Sequence, residues 1–448
     1  MDQRLDRCHP ADRGGGYAGP RVESLVQEFV PEVACRRRSF FTEGDAPMKR
    51  IAMLCMGLAL GAAQAAEAQL TMQMSNGWSF TFSGNVNAFL TYENFNDGTT
   101  AGVITPGAAG LDETRVRTGL LPAFAVFDAK GKEGNTDVSV HFGFAPQINC
   151  STGTHDCFGA QIDMRQVFLT VGGTWGQILA GRELGLFQRQ NILTDQTLFG
   201  VGGTGGGGGP GAPGSGGTTL GRIGFGYIYP QFKAQMTYST PAGRPFQLSV
   251  GLFESAVNGP YVTTRLPRVE AEGVWSSGAT KIWVGGTVQN NGTGGAADDK
   301  VTAYGGSGGV RFGSDRFSLT GSGYYGKGVG TTLMFNGGTC DATATLGCGG
   351  GGSDDLRNSY GFIGQLTFTP AASKLTVAGS YGSSFLEGSA TEGDFKLENT
   401  LISGGVYLQA TKSLKVVGEF NYALGKDDVA GTDDNSSIAP AFGLMLFF

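Results

Sequence analysis

Between residues 79 and 92 the chain alternates with a period of two. Even positions carry Phe80, Phe82, Gly84, Val86, Ala88, Leu90 and Tyr92; odd ones carry Ser79, Thr81, Ser83, Asn85, Asn87, Phe89 and Thr91. One face is apolar and the other polar, with Phe89 alone out of place. Side chains of a strand project alternately to its two faces, so the stretch predicts one strand with an oily side and a wet side. It is long enough to cross a bilayer on a tilt, which takes about 9–11 residues. A half-buried soluble strand would read the same way, so repetition decides. The pattern returns at 138–144, 246–252, 282–288, 360–368, 375–381 and 414–422, each time with Lys, Gln, Ser, Thr or Asn interleaved.

Connections alternate between long and short. Long loops fall near 93–113, 146–161, 182–220, 254–266, 290–300, 328–357, 386–398 and 425–436, and short turns near 128–134 and at Gly172-Gly173. Outer-membrane barrels have long external loops and short periplasmic turns. Eight loops therefore predict an all-β, transmembrane, antiparallel sixteen-stranded barrel. One place resists: 222–229 and 232–240 read as separate strands of opposite phase. Both chain ends must be periplasmic, which demands an even number, so the two runs are expected to form one strand bent by a bulge at Pro230.

The stretch 162–220 reads IDMRQVFLTVGGTWGQILAGRE, then LGLFQRQNILTDQTLFG, then VGGTGGGGGPGAPGSGG. It predicts two strands folded back through a tight Gly172-Gly173 turn with positive φ angles, followed by a connection too long to be merely structural. Over 69–448, and most closely around RQVFLTVGGTWGQILAGRE, the chain resembles the general porins, trimeric outer-membrane channels of Gram-negative bacteria. The resemblance implies that the third external loop folds into the barrel and narrows the pore, with a basic cluster on the wall facing acids on that loop. It also implies a homotrimer.

Phase assigns residues to those roles. Arg115 and Arg117 oppose Val116, Leu120, Phe124 and Val126, and Arg222 opposes Ile223, Phe225 and Tyr227, so all three are expected to face the lumen. The loop acids are then Glu183 and Asp195, and Arg182 stands where strand meets loop, open to either side. Arg165 shares the phase of Val167, Leu169 and Val171 and is expected toward lipid headgroups. The glycine run 202–217 cannot hold itself rigid. Either 184–199 alone forms the constriction or the eyelet is wide.

Beyond the strands, 51–66 is the one long apolar run. Met48-Lys49-Arg50 before it and the small-x-small sites Ala63-Gln64-Ala65 and Ala66-Glu67-Ala68 after it make 48–68 a secretory signal peptide, too short to span as a helix. Cleavage is expected after Ala68, leaving Gln69 first, with Ala65 as second choice. Residues 1–47 fit poorly ahead of it and are expected to be a translated leader or a disordered extension; 69–448 is the barrel. Removing 1–68 takes nine basic and nine acidic residues from 32 and 38, so the charge stays 23 − 29 = −6, which gives no reason to expect a nucleic-acid partner.

An exported chain meets an oxidising periplasm. Cys150 with Cys157 and Cys340 with Cys348 are therefore expected as two disulfides stapling loops; zinc would lack ligands, since only His155 lies nearby. The ending IAPAFGLMLFF, closing on Phe448, resembles the signal that outer-membrane barrels present to their insertion machinery. No cofactor or metal set is evident. The Gly305-x-Ser307-x-Gly309 match to a nucleophile motif lies within a strand with no helix after it. The Asp pairs 298/299, 354/355, 427/428 and 433/434 read as solvated loop charge, or as bridges to lipopolysaccharide through divalent cations. The expectation is a passive channel for small hydrophilic solutes and ions, integral in the outer membrane and in contact with its lipid. Alternatives are a phosphate- or sugar-specific channel and, in another class, a barrel-scaffolded enzyme or adhesin, for which no catalytic set appears.

Overall fold

The computed structural model describes residues 70–96, 112–146, 148, 162–205, 218–256, 262–263, 266–292, 300–314, 316–335, 356–389, 392, 394–428 and 433–448. The leader, the signal peptide with Ala68 and Gln69, the four mature cysteines and 206–217 lie outside these residues.

Sixteen antiparallel strands close into a ring. In chain order they are β1 Ser79–Phe95, β2 in two pieces Glu113–Arg117 and Phe124–Glu133, β3 Thr136–Pro146, β4 Ile162–Gly173, β5 Gly176–Leu184, β6 Phe232–Ser239, β7 Phe246–Phe253 and β8 Arg268–Ser277. The second half is β9 Thr280–Gly292, β10 Lys300–Gly313, β11 Phe317–Lys327, β12 Asn358–Phe368, β13 Leu375–Glu387, β14 Lys396–Gln409, β15 Leu414–Asp427 and β16 Asn435–Phe447. Each strand pairs with the next, and β16 returns to β1 with Phe442 opposite Leu90 and Ala441 opposite Thr91. Closure leaves no unpaired edge, the condition a sheet must meet inside lipid. Two short pieces extend the ring: Leu70–Gln73 beside the start of β1, and Val262–Thr263 beside the end of β9.

The alternation read from the sequence becomes an inside and an outside. Val86, Leu90, Val284, Leu319, Leu366, Phe420 and Phe442 are exposed, while Asn85, Asn87, Thr91, Thr170, Gln235, Gln289 and Gln365 are buried. Exposed apolar side chains on so many neighbouring strands form a band far beyond what a soluble monomer shows, and hydrocarbon is the solvent that suits them. Among the described residues no helix is long and apolar enough to cross a membrane. Phe89 belongs to the inner face and is fully buried.

Three details differ from expectation. Residues 222–229 are not part of a bent strand: they form turns and isolated bridges, with Ile223 N–H donating to Leu220 O and Phe225 N–H to Arg222 O. Local bonds replace the ladder, and β6 begins only at Phe232. The count of sixteen stands because 222–229 leaves the sheet rather than because two runs merge. Gly172 and Gly173 end β4, and the turn falls on Thr174 and Trp175. Positive φ is needed instead at Gly176, at 120°, where a Cβ would meet Ser239 O at 2.4 Å. Finally, the turn expected near 128–134 is shorter, at Gly134 and Asn135. At the seam, Phe448 N–H donates to Gly84 O at 3.0 Å and Gly84 N–H to Phe448 O at 2.8 Å. The rings of Phe448 and Phe82 lie 5.3 Å apart.

Candidate pore constriction

Between β5 and β6 the chain makes its longest described excursion, 185–231, closed at its neck by Gly185 N–H donating to Gln231 O at 2.8 Å. Its polar groups find partners among side chains of the inner face, strand after strand. Leu186 and Phe187 N–H donate to Glu270 Oε2 on β8 at 2.7 and 3.0 Å. A short helix, Arg189–Thr194, follows. Arg189 Nη2 reaches Glu272 Oε1 at 2.5 Å, Gln190 Nε2 reaches the same oxygen at 3.0 Å, and Trp283 Nε1 on β9 donates to Asn191 Oδ1 at 2.7 Å. Gln365 on β12 accepts from Gln196 N–H and donates to Thr194 O.

Asp195 then caps the turn Gln196–Phe199, accepting from Thr197 N–H at 2.9 Å and from the Tyr227 hydroxyl at 2.8 Å. Glu419 Oε2 on β15 accepts from Val201 and Gly202 N–H at 2.7 and 3.0 Å, and Glu419 Oε1 accepts from the Tyr407 hydroxyl. The Thr204 hydroxyl donates to Glu93 on β1. On the return, Arg117 Nη2 donates to Thr218 O at 2.9 Å. Arg222 donates to Leu401 O and Ser380 Oγ, and Gly226 N–H to Ser384 Oγ. Leu198, Val201, Ile223, Phe225 and Tyr227 pack with the inner-face residues Phe89, Tyr407 and Met445.

Beside the basic Arg115 and Arg117, the wall carries the acids Glu93, Glu270, Glu272 and Glu419, which accept hydrogen bonds from the excursion. Hydrogen bonds to a carboxylate are about twice as strong as neutral ones, and the four glutamates hold the excursion at 186–190 and 201–204. Sequence reading missed all four. Their signal was available: Glu270 and Glu272 alternate with Val269 and Ala271, and Glu419 precedes the outward Phe420, which places each on the inner phase.

The predicted site residues divide. Arg115 and Arg117 face inward on β2; Arg115 pairs with Glu113 at 3.3 Å. Asp195 and Arg222 both lie in the excursion, so Arg222 belongs to it rather than to a strand. Glu183 faces inward on β5 and accepts from Gln166 Nε2 at 2.8 Å. Arg182 pairs in register with Val167 and Ala234 on the outward face, away from the others. Arg165 stands where the β3–β4 register shifts, bonded to Asp163 at 2.7 Å with its guanidinium over Phe232. The six therefore do not form one cluster.

A closed antiparallel ring with an oily exterior and a polar interior is the fold of a porin-type barrel. Solved structures share the fold. The outer-membrane channel DcaP of Acinetobacter baumannii superposes with a TM-score of 0.59 at 16% identity, over 84% of this chain and 99% of that one. OmpF of Salmonella typhi in complex with daunomycin gives 0.51 at 13% identity, over 84% and 100%. OmpT of Vibrio cholerae, an outer-membrane protein, gives 0.52 at 13%, over 84% and 99%. At such identities the likeness is one of fold. A scan of protein-family models found no match, and neither did a search of curated proteins.

Proposed function

We propose that the chain forms a passive outer-membrane channel for small hydrophilic solutes and ions, and that 185–231 folds into the lumen as its constriction. The observation that carries this is the chain of hydrogen bonds from that segment to inner-face side chains on β1, β2, β8, β9, β12, β13 and β15. A segment bonded to opposite sides of a ring crosses the space within it. Arg115, Arg117, Arg222, Glu183 and Asp195 are its charged surroundings, with the four wall glutamates as anchors. A homotrimer is part of the proposal, by the porin resemblance, as is insertion guided by the ending at Phe448.

Purified protein added to planar bilayers should give discrete conductance steps, and light scattering in detergent should give three chains per particle. A bilayer that stays silent at high protein concentration would refute the channel.

A further inference from the structure

The short turns mark the periplasmic end of the barrel, and next to the turn at Gly278 and Ala279 an unusual pair faces inward. Lys281 on β9 stands directly opposite Arg311 on β10. Their outward neighbours Ile282 and Phe312 are exposed, which fixes both cations on the lumen side. Like charges directly opposite across a ladder are destabilising. Among the described residues neither has an acid within ion-pair distance. Glu272, on the neighbouring strand β8, is already engaged by Arg189 and Gln190.

A second observation lies on the next strand. Thr320 of β11 is opposite Arg311 on its other side, is 3% exposed, and its hydroxyl has no hydrogen-bond partner among the described residues. Two residues further along β9, Trp283 holds Asn191 of the inserted helix, so this group lies just on the turn side of the proposed constriction. Fixed positive charge inside a low-dielectric wall raises the local concentration of anions, and rings of Lys and Arg select anions and phosphate.

We propose that Lys281, Arg311 and the Thr320 hydroxyl form an oxyanion-binding step at the periplasmic side of the constriction, and that it makes the channel anion-selective. This rests on the channel reading above. An ammonium, a guanidinium and a hydroxyl suit a small tetrahedral or planar oxyanion, which a passing phosphate or carboxylate solute supplies.

The test uses the full-length protein in planar bilayers. Under a potassium chloride gradient at low salt, the wild type should show a reversal potential toward chloride, and the double variant Lys281→Gln/Arg311→Gln one shifted toward potassium. The difference should shrink near 1 M salt, where the screening length falls to about 3 Å. Inorganic phosphate should reduce the chloride current saturably in the wild type, and the double variant should need about tenfold more. Thr320→Val should weaken phosphate inhibition while leaving the reversal potential in place. Arg244→Gln, in a different turn, should change neither. Heat-modifiable gel mobility confirms that each variant is folded. A cation-selective wild type, or phosphate inhibition unchanged in the double variant, overturns this inference and leaves the channel standing. Absence of any conductance overturns the channel itself.

Discussion

The ring of Phe89 lies against Gly443, so closely that a Cβ added to the glycine would meet Phe89 Cδ1 at 2.2 Å. The two residues pair across β1 and β16, the seam at which the cylinder shuts. A large apolar side chain on the wet face is accommodated because its neighbour has none. Gly443→Val should therefore disturb closure, costing about 1–3 kcal/mol as overpacking does. Urea unfolding followed by tryptophan fluorescence would show it as a lower midpoint. Phe89→Ala combined with Gly443→Val should recover part of the loss, and no recovery would argue against this contact as the cause.

Glu419 gathers the amides of Val201 and Gly202 and the Tyr407 hydroxyl. Glu419→Ala leaves two buried amides without an acceptor, each worth about 1–3 kcal/mol. The segment should then loosen while the strands persist. Single-channel recordings should show larger and noisier conductance with an unchanged circular-dichroism strand signal. Glu254→Ala, at an exposed position just past the end of β7, serves as the control.

Outside the spanning strands, Glu392 meets the fork of Arg357 and accepts from Ser389 N–H at 2.9 Å. Burial alone would push its carboxyl up; the Arg357 bonds and the Ser389 amide outweigh that and hold it below the usual 4.5. A depressed folded value means that the contact stabilises fully above the unfolded value and is lost as pH falls through the folded one. Limited proteolysis of the loop joining β13 and β14 should thus stay slow from neutral pH to the ordinary carboxylate range and quicken only below it. Arg357→Gln should move that onset to higher pH; an onset that does not move would refute the role of Arg357.

For the loop cysteines, the pairing expected from an exported chain is Cys150 with Cys157 and Cys340 with Cys348. Mass spectrometry of unreduced peptides should find both links, and reduction should leave conductance intact because each joins residues close in sequence. A free thiol in either pair would reject that pair.

The barrel was legible because its physics is a period of two repeated around a circle: β1 could be assigned face by face, including the odd placement of Phe89. Arg115 and Arg117 were legible for the same reason, since strand phase fixes direction. What failed lay where phase has no meaning. Residues 222–229 alternate like a strand, yet their amides bond locally and to Ser384, so periodicity there reports a packed turn. Arg182 could not be assigned to a side until its partners Val167 and Ala234 were known. Phase places the wall glutamates on the inner face, but which carboxylates meet the excursion depends on how 185–231 folds, and phase carries no information on that.

The way the wall glutamates are used changes what the chain's net charge of −6 means to a permeating ion. Glu93, Glu270, Glu272 and Glu419 are capped by amides, hydroxyls or a guanidinium of the excursion 185–231, so in the proposed channel the water column meets much less of their negative field than their number suggests. Selectivity in such a tube follows the few charges left uncapped at each depth, and a whole-chain tally can carry the opposite sign.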